Sequence, residues 1–133
     1  MARSRAAAVM ATLYHNPACS KSRAAHGLLA EKGEAVNVVE YLNVAWTRAS
    51  LDDLLRKLAP GEASPNPTLM MRTGDAAFKE LGLDKLDPAV PASREALLDA
   101  MVRQPSLIER PIFVREGRAV IGRPPDRVFE LLP

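Results

Sequence analysis

At 133 residues the chain is long enough to bury a hydrophobic core of its own. Apolar residues make up 47% and charged residues 26%, with a formal net charge of +2, which excludes the broad positive field of a nucleic-acid binder. A single cysteine excludes an internal disulfide, no Cys/His cluster offers a zinc site, and no apolar run approaches membrane-spanning length, so a reducing cytoplasm is the expected location.

Residues 1–9 carry two arginines and a few small apolar residues, too short a run for a signal peptide. They are expected to form a mobile extension ahead of a single domain over residues 10–133. Ala11-Thr12-Leu13-Tyr14 then reads as a strand. It runs into Tyr14-His15-Asn16-Pro17-Ala18-Cys19-Ser20-Lys21-Ser22-Arg23, which holds the only cysteine and one of the two histidines. A helix is predicted over Ala24 to Lys32, with Ala24, Leu28 and Leu29 on one face and Gly33 at its end. Cys19 therefore falls where a strand ends and a helix begins. Unpaired backbone N–H groups and the helix dipole favour a thiolate there, and the same N–H groups can hold an oxyanion. For His15 two roles stay open: an ordinary hydrogen bond at a strand end, or lowering the thiol pKa by charge or hydrogen bonding.

Ala35 to Tyr41 is partly alternating and β-branched, a second strand. Strand, helix and strand at this spacing form a parallel βαβ unit, with the Cys19 loop at the carboxyl end of the first strand, where open α/β sheets bind ligands. Leu42 to Thr47 connects to a helix capped by Ser50, with Leu51, Leu54, Leu55 and Leu58 on one face. Pro60, Gly61, Pro65 and Pro67 break the chain. Thr68 to Leu81 resumes a helical pattern with a turn at Gly74, Leu83 to Pro91 is loop, and Ser93 caps a helix reaching about Arg103. Ile112 to Arg115 and Arg118 to Ile121 form a hairpin across Glu116-Gly117. Gly122-Arg123-Pro124-Pro125 is a sharp loop, and Asp126 to Leu132 a short final helix. The expected fold is α/β: a thioredoxin-like mixed sheet, parallel βαβ plus antiparallel hairpin, with a helical insertion at about residues 50–104.

With those segments in place, the chain resembles the glutaredoxin-linked arsenate reductases of thioredoxin fold. The likeness rests on Tyr14 to Cys19 with Ser22-Arg23, on Leu69-Met70-Met71-Arg72 and Phe78-Lys79-Glu80-Leu81-Gly82-Leu83, on Leu107-Ile108-Glu109-Arg110-Pro111-Ile112, and on Gly122-Arg123-Pro124. It covers nearly everything from Met10 onward. The resemblance implies that Cys19 attacks arsenate, that His15 tunes it, that Arg72, Arg110 and Arg123 hold the oxyanion, and that Pro111 is the cis-proline of the fold. Asn16, Ser22 and Arg23 are expected to support the site. It further implies glutathione as co-substrate and glutaredoxin as partner, with no bound cofactor, metal, nucleic acid or membrane, in a chain that need be no more than a monomer.

The residue types fit that chemistry. Guanidinium forks match the paired oxygens of a tetrahedral dianion and stay charged at any working pH. Arg110 precedes a proline, and Arg123 lies between a glycine and a proline, which fixes the base of each long side chain. Taken singly, each arginine also fits a solvated surface position. Ser22 takes the fourth place of a CxxC pattern, so reducing thiols must come from outside. Its hydroxyl either reaches the sulfur or simply belongs to the helix turn. Two other functions fit parts of the pattern. A monothiol glutaredoxin-like oxidoreductase would use Cys19-Ser20-Lys21-Ser22 and leave the arginines idle. A regulator of the same fold that contacts RNA polymerase would show no turnover.

Overall fold

The computed structural model describes residues 11–133, so the expected extension over residues 1–9 lies outside the described residues. The chain divides into two compact units. The first comprises residues 11–44 and 110–133 of those described, and the second comprises Ala45–Glu109.

The first unit is built on a four-stranded sheet in the order β2-β1-β3-β4. β1 is Ala11–His15, β2 Asn37–Glu40, β3 Ile112–Arg115 and β4 Arg118–Ile121. β1 pairs in parallel with β2 and antiparallel with β3, and β3 with β4 is an antiparallel hairpin. This is the expected mixed sheet. β1 alternates, with Ala11, Leu13 and His15 buried and the residues between them half-buried. The hairpin turns on Glu116 and Gly117, both at positive φ (51° and 78°), as a two-residue turn matched to strand twist requires. β2 is shorter than the predicted Ala35 to Tyr41. Only Asn37 to Glu40 find partners on β1, and the chain then coils into a 3-10 turn over Tyr41–Asn43.

Helix α1, Ser20–Glu31, packs beneath the sheet. It starts four residues before the predicted Ala24, because its first turn is polar and carries no apolar periodicity to mark it. Its buried face is Ser22, Ala25 and Leu29, while Ala24 is exposed, so the predicted face is offset by one residue there. The end is as expected: Gly33 at φ +70° donates to the Ala30 carbonyl and Glu34 N–H to the Leu29 carbonyl, the paired bonds of a left-handed helix stop. The core gathers Ala11, Leu13, Ala25, Leu29, Phe113, Val120 and Val128. Arg115 Nε donates to Glu34 at 2.9 Å and its Nη1 to the Leu131 carbonyl at 3.2 Å, tying the hairpin to the α1 exit and the final segment. That segment, Pro125–Leu131, is a 3-10 helix and not the expected α-helix.

The second unit is helical. α2 is Arg48–Leu58, α3 Ala76–Glu80 and α4 Pro91–Arg103. α2 packs on α4, and the two bury Leu51, Leu54, Leu55, Leu97, Leu98 and Met101. The N-cap of α2 is Thr47 and not Ser50. Thr47 Oγ1 accepts from Ser50 N–H at 3.0 Å, and Ser50 Oγ accepts from Thr47 N–H at 2.9 Å, so the expected cap is the third helical residue of a capping box. Asp52 accepts from Arg94 at 2.6 Å and from Arg56 at 2.8 Å, bracing α2 against α4. α4 starts at Pro91, two residues before the expected Ser93 cap, because proline is favoured at the first helical position.

The predicted helix over Thr68 to Leu81 is interrupted. A 3-10 turn, Pro67–Met70, starts under the Asn66 side chain, which accepts from Thr68 N–H at 2.9 Å. Met71 then bridges to Ile108 in antiparallel fashion, flanked by Glu109 N–H on the Met70 carbonyl and Arg72 N–H on the Leu107 carbonyl, both 2.8 Å. Those long-range bonds draw the backbone into an extended form that helical periodicity does not anticipate. Asp75 restarts a helix, α3, through its own side chain. Within the expected loop over Leu83 to Pro91, Leu83–Lys85 makes a further 3-10 turn after Gly82 at φ +74°.

Candidate active site

The site of the first unit begins at the N-terminus of α1. Cys19 is the N-cap, in extended conformation, and its side chain makes no cap hydrogen bond to the helix. The loop before it is wound tightly. Asn16 Oδ1 accepts from Ala18 N–H at 3.0 Å, and Cys19 N–H donates to the Asn16 carbonyl at 2.9 Å. Arg23 Nη1 reaches back to the Pro17 carbonyl at 2.8 Å, so this cation clamps the loop.

Cys19 is partly exposed and its thiol pKa is lowered. Burial acts in the opposite direction and is the largest single influence. The backbone N–H groups of Ser22 and Lys21, the charge of Arg110 and a contact from Arg123 together outweigh it. Arg123 Nη1 lies 4.0 Å from Sγ and donates to the Arg110 carbonyl at 3.1 Å. Two of the three expected arginines thus act on the sulfur, and Nε and Nη1 of Arg110 are themselves buried. Arg110 and Arg123 each precede a cis proline, Pro111 and Pro124. The first matches the cis-proline that the resemblance implies; the second is not marked by any expectation.

Gly122 holds these loops together. Its N–H donates to the Pro111 carbonyl at 2.9 Å. A Cβ added there would lie 3.0 Å from Pro111 Cγ and 3.3 Å from Val128 Cγ1. Glycine lets the Arg123 loop approach the Arg110-Pro111 loop without asking Pro111 or Val128 to give way.

His15 ends β1 and is buried, with Nδ1 2.6 Å from Ser22 Oγ. Ser22 is fully buried, and the same hydroxyl accepts from Asn16 N–H at 3.0 Å. Burial first, then the charges of His26 and Arg23, lower the pKa of His15 despite the opposing pull of Glu40. The imidazole is therefore neutral near pH 7. Of the roles left open for it, the geometry has a hydrogen bond into the Cys19 loop through Ser22, and not a positive charge. Ser22 contributes its N–H toward the sulfur and its hydroxyl to the loop. His26, whose ring centroid is 5.4 Å from that of His15, and Glu40, paired with His15 across β1 and β2, escaped the sequence reading. Both carry a signal in hindsight: His26 is one helical turn after Ser22, and Glu40 ends the parallel strand.

Arg72 belongs to the second unit. Its Nη1 lies 3.1 Å from Asp75 Oδ2 and 3.5 Å from the Ser106 carbonyl. Among the described residues no group of three or more His, Cys, Asp or Glu side chains could hold a metal ion, and no helix is long and apolar enough to cross a membrane.

Known proteins share this arrangement of segments. The ArsC family profile matches residues 14–131. An arsenate reductase of Neisseria meningitidis is 42% identical over 120 residues, covering 90% of this chain and 96% of its own. The uncharacterized protein YfgD of Escherichia coli is 45% identical over 120 residues, covering 90% and 94%. The solved structure of an arsenate reductase from Vibrio cholerae superposes with a TM-score of 0.80 at 40% identity, covering 93% of this chain and 98% of that one. On the strength of the profile match and these relatives, the chain belongs to the ArsC family.

Proposed function

We propose that the protein is an arsenate reductase in which Cys19 is the nucleophile and glutathione and glutaredoxin supply the electrons. The observation that carries this reading is the setting of Cys19: a helix N-cap whose thiol is favoured as thiolate by two backbone N–H groups, Arg110 and Arg123. The names of the relatives support the arsenate reductase part of it and do not bear on the electron donor.

In the first step the Cys19 thiolate attacks arsenic. An S–As bond forms, an As–O bond breaks, and the oxygen leaves as water with protons from the medium; arsenic stays As(V). Arg110 and Arg123 neutralise charge on the remaining oxygens, and the resemblance gives Arg72 the same role. Glutathione then displaces a second oxygen as water. A glutaredoxin thiolate attacks the glutathione sulfur, and the S–As electron pair stays on arsenic. Arsenic becomes As(III), while two thiols become a mixed disulfide. Water hydrolyses the remaining S–As bond, releasing arsenite and restoring Cys19. External thiols are required because the chain has one cysteine and cannot deliver two electrons as an internal disulfide.

His15 and Ser22 hold the loop that presents the sulfur, and Asn16 and Arg23 hold its other turns. The test is NADPH oxidation in a coupled assay with glutathione reductase, with glutathione and glutaredoxin each added or withheld. Turnover of arsenate that needs both thiols and vanishes in Cys19→Ser is expected. Turnover that persists in Cys19→Ser would remove the nucleophile from this scheme.

A further inference from the structure

Two walls of a groove in the first unit converge on the sulfur. α1 begins next to Cys19, and its side from Ala24 through Gly27 and Leu28 to Glu31 forms one wall. The loop that follows Arg123 forms the other, through Pro124, Pro125 and Asp126. Arg123 Nη1 lies 4.0 Å from Cys19 Sγ, so both walls start at the reactive atom. The groove between them is open and about 620 Å³ in volume. Leu28, Pro124 and Pro125 make it apolar, and its charged lining residues are the carboxylates Glu31 and Asp126. Gly27 lies within it. Glycine is costly in a helix interior. Here a Cβ would meet no atom within 4 Å, and Gly27 is not among the glycines at positive φ. Neither packing within the chain nor backbone conformation calls for glycine at this position, whereas close approach by a partner does.

We infer that this groove is where glutaredoxin docks. The inference rests on the reading of glutaredoxin as electron donor. Its thiolate must reach the glutathione sulfur on arsenic held by Cys19, so its surface must lie against the surface beside Cys19. The groove offers that surface an apolar floor with a polar rim, the usual anatomy of a protein interface. Glu31 and Asp126 favour a partner that presents an apolar side chain flanked by Lys or Arg. They disfavour glutathione itself, whose two carboxylates outnumber its one ammonium.

The test is the KM for glutaredoxin in the coupled assay, with arsenate and glutathione saturating, and the KM for glutathione with glutaredoxin saturating. Gly27→Gln fills the groove with a better helix former, so it should melt no lower than the unaltered protein. It is expected to raise the glutaredoxin KM about tenfold, the effect of forcing volume into a packed contact. Glu31→Lys should raise it about threefold, with the difference shrinking at high salt. Ala30→Gln, exposed on α1 and outside the groove lining, should leave it unchanged. Should Gly27→Gln melt early, Ala24→Gln, on the same wall, gives the same reading. If the glutaredoxin KM of Gly27→Gln matches that of the unaltered protein, or rises equally in Ala30→Gln, the inference fails and the donor reading stands. If the glutathione KM rises alone, the groove holds the tripeptide and the inference fails. If the unaltered protein shows no turnover that depends on glutaredoxin, the donor reading falls and the inference with it.

Discussion

A single buried hydroxyl links the ends of the Cys19 loop. Ser22 Oγ accepts from Asn16 N–H and meets His15 Nδ1, and Ser22 is fully buried. Replacing it with alanine would strand both partners where water reaches them poorly. Ser22→Ala should lower unfolding free energy by about 1–3 kcal/mol, measured by urea denaturation, as expected when buried polar groups lose their partner. A midpoint equal to that of the unaltered protein would mean that the loop does not depend on this hydroxyl. The arrangement also explains why a neutral histidine sits beside a thiolate site. His15 is buried under the helix start, which disfavours its charged form, and His26 and Arg23 nearby act in the same direction. Its contribution is to geometry, through Ser22, while the charge that favours the thiolate comes from arginine and from the helix N–H groups.

At the scale of elements, the loop that carries Arg123 and the loop that carries Arg110 are set by how closely they approach. A Cβ at Gly122 would fit tightly, with Pro111 Cγ and Val128 Cγ1 standing 3.0 and 3.3 Å from it. Gly122→Ala should cost about 1–3 kcal/mol of stability, the usual toll of forcing extra volume into packed structure. It should also reduce turnover, because Arg123 is the next residue and its guanidinium is held to the Arg110 carbonyl. Unchanged stability and unchanged turnover in that variant would contradict the packing argument. The elements that sequence reading placed well are those whose residues state their own conformation. β3 and β4 fall where alternation and the Glu116-Gly117 turn put them, and Gly33 stops α1. Those it misplaced are governed by partners far along the chain. Arg72 is pulled out of a helix by Leu107, thirty-odd positions away, and the edge strand β2 is confined to the four residues that pair with β1. Short caps behave similarly: Thr47 and Ser50 each look like a cap, and only their reciprocal bonds show which one comes first.

Across the whole molecule, a nearly neutral chain with a net charge of +2 concentrates positive charge where one sulfur needs it. The sulfur and its setting were readable from sequence because a strand, a polar loop and a helix follow one another without interruption, and because rigid proline loops flank Arg110 and Arg123. The route taken by His15 was not readable, since burial and the neighbouring His26 come from the fold. The central claim is that Cys19 is held as a thiolate by the α1 N–H groups, Arg110 and Arg123. It is tested most directly by the rate of Cys19 alkylation with iodoacetamide, a neutral reagent, followed against pH in the unaltered protein and in Arg123→Ala. The account predicts a midpoint below the value of about 8.5 for a free cysteine, moving upward when Arg123 is removed. A midpoint at or above that of a free cysteine, or one indifferent to Arg123, would contradict it.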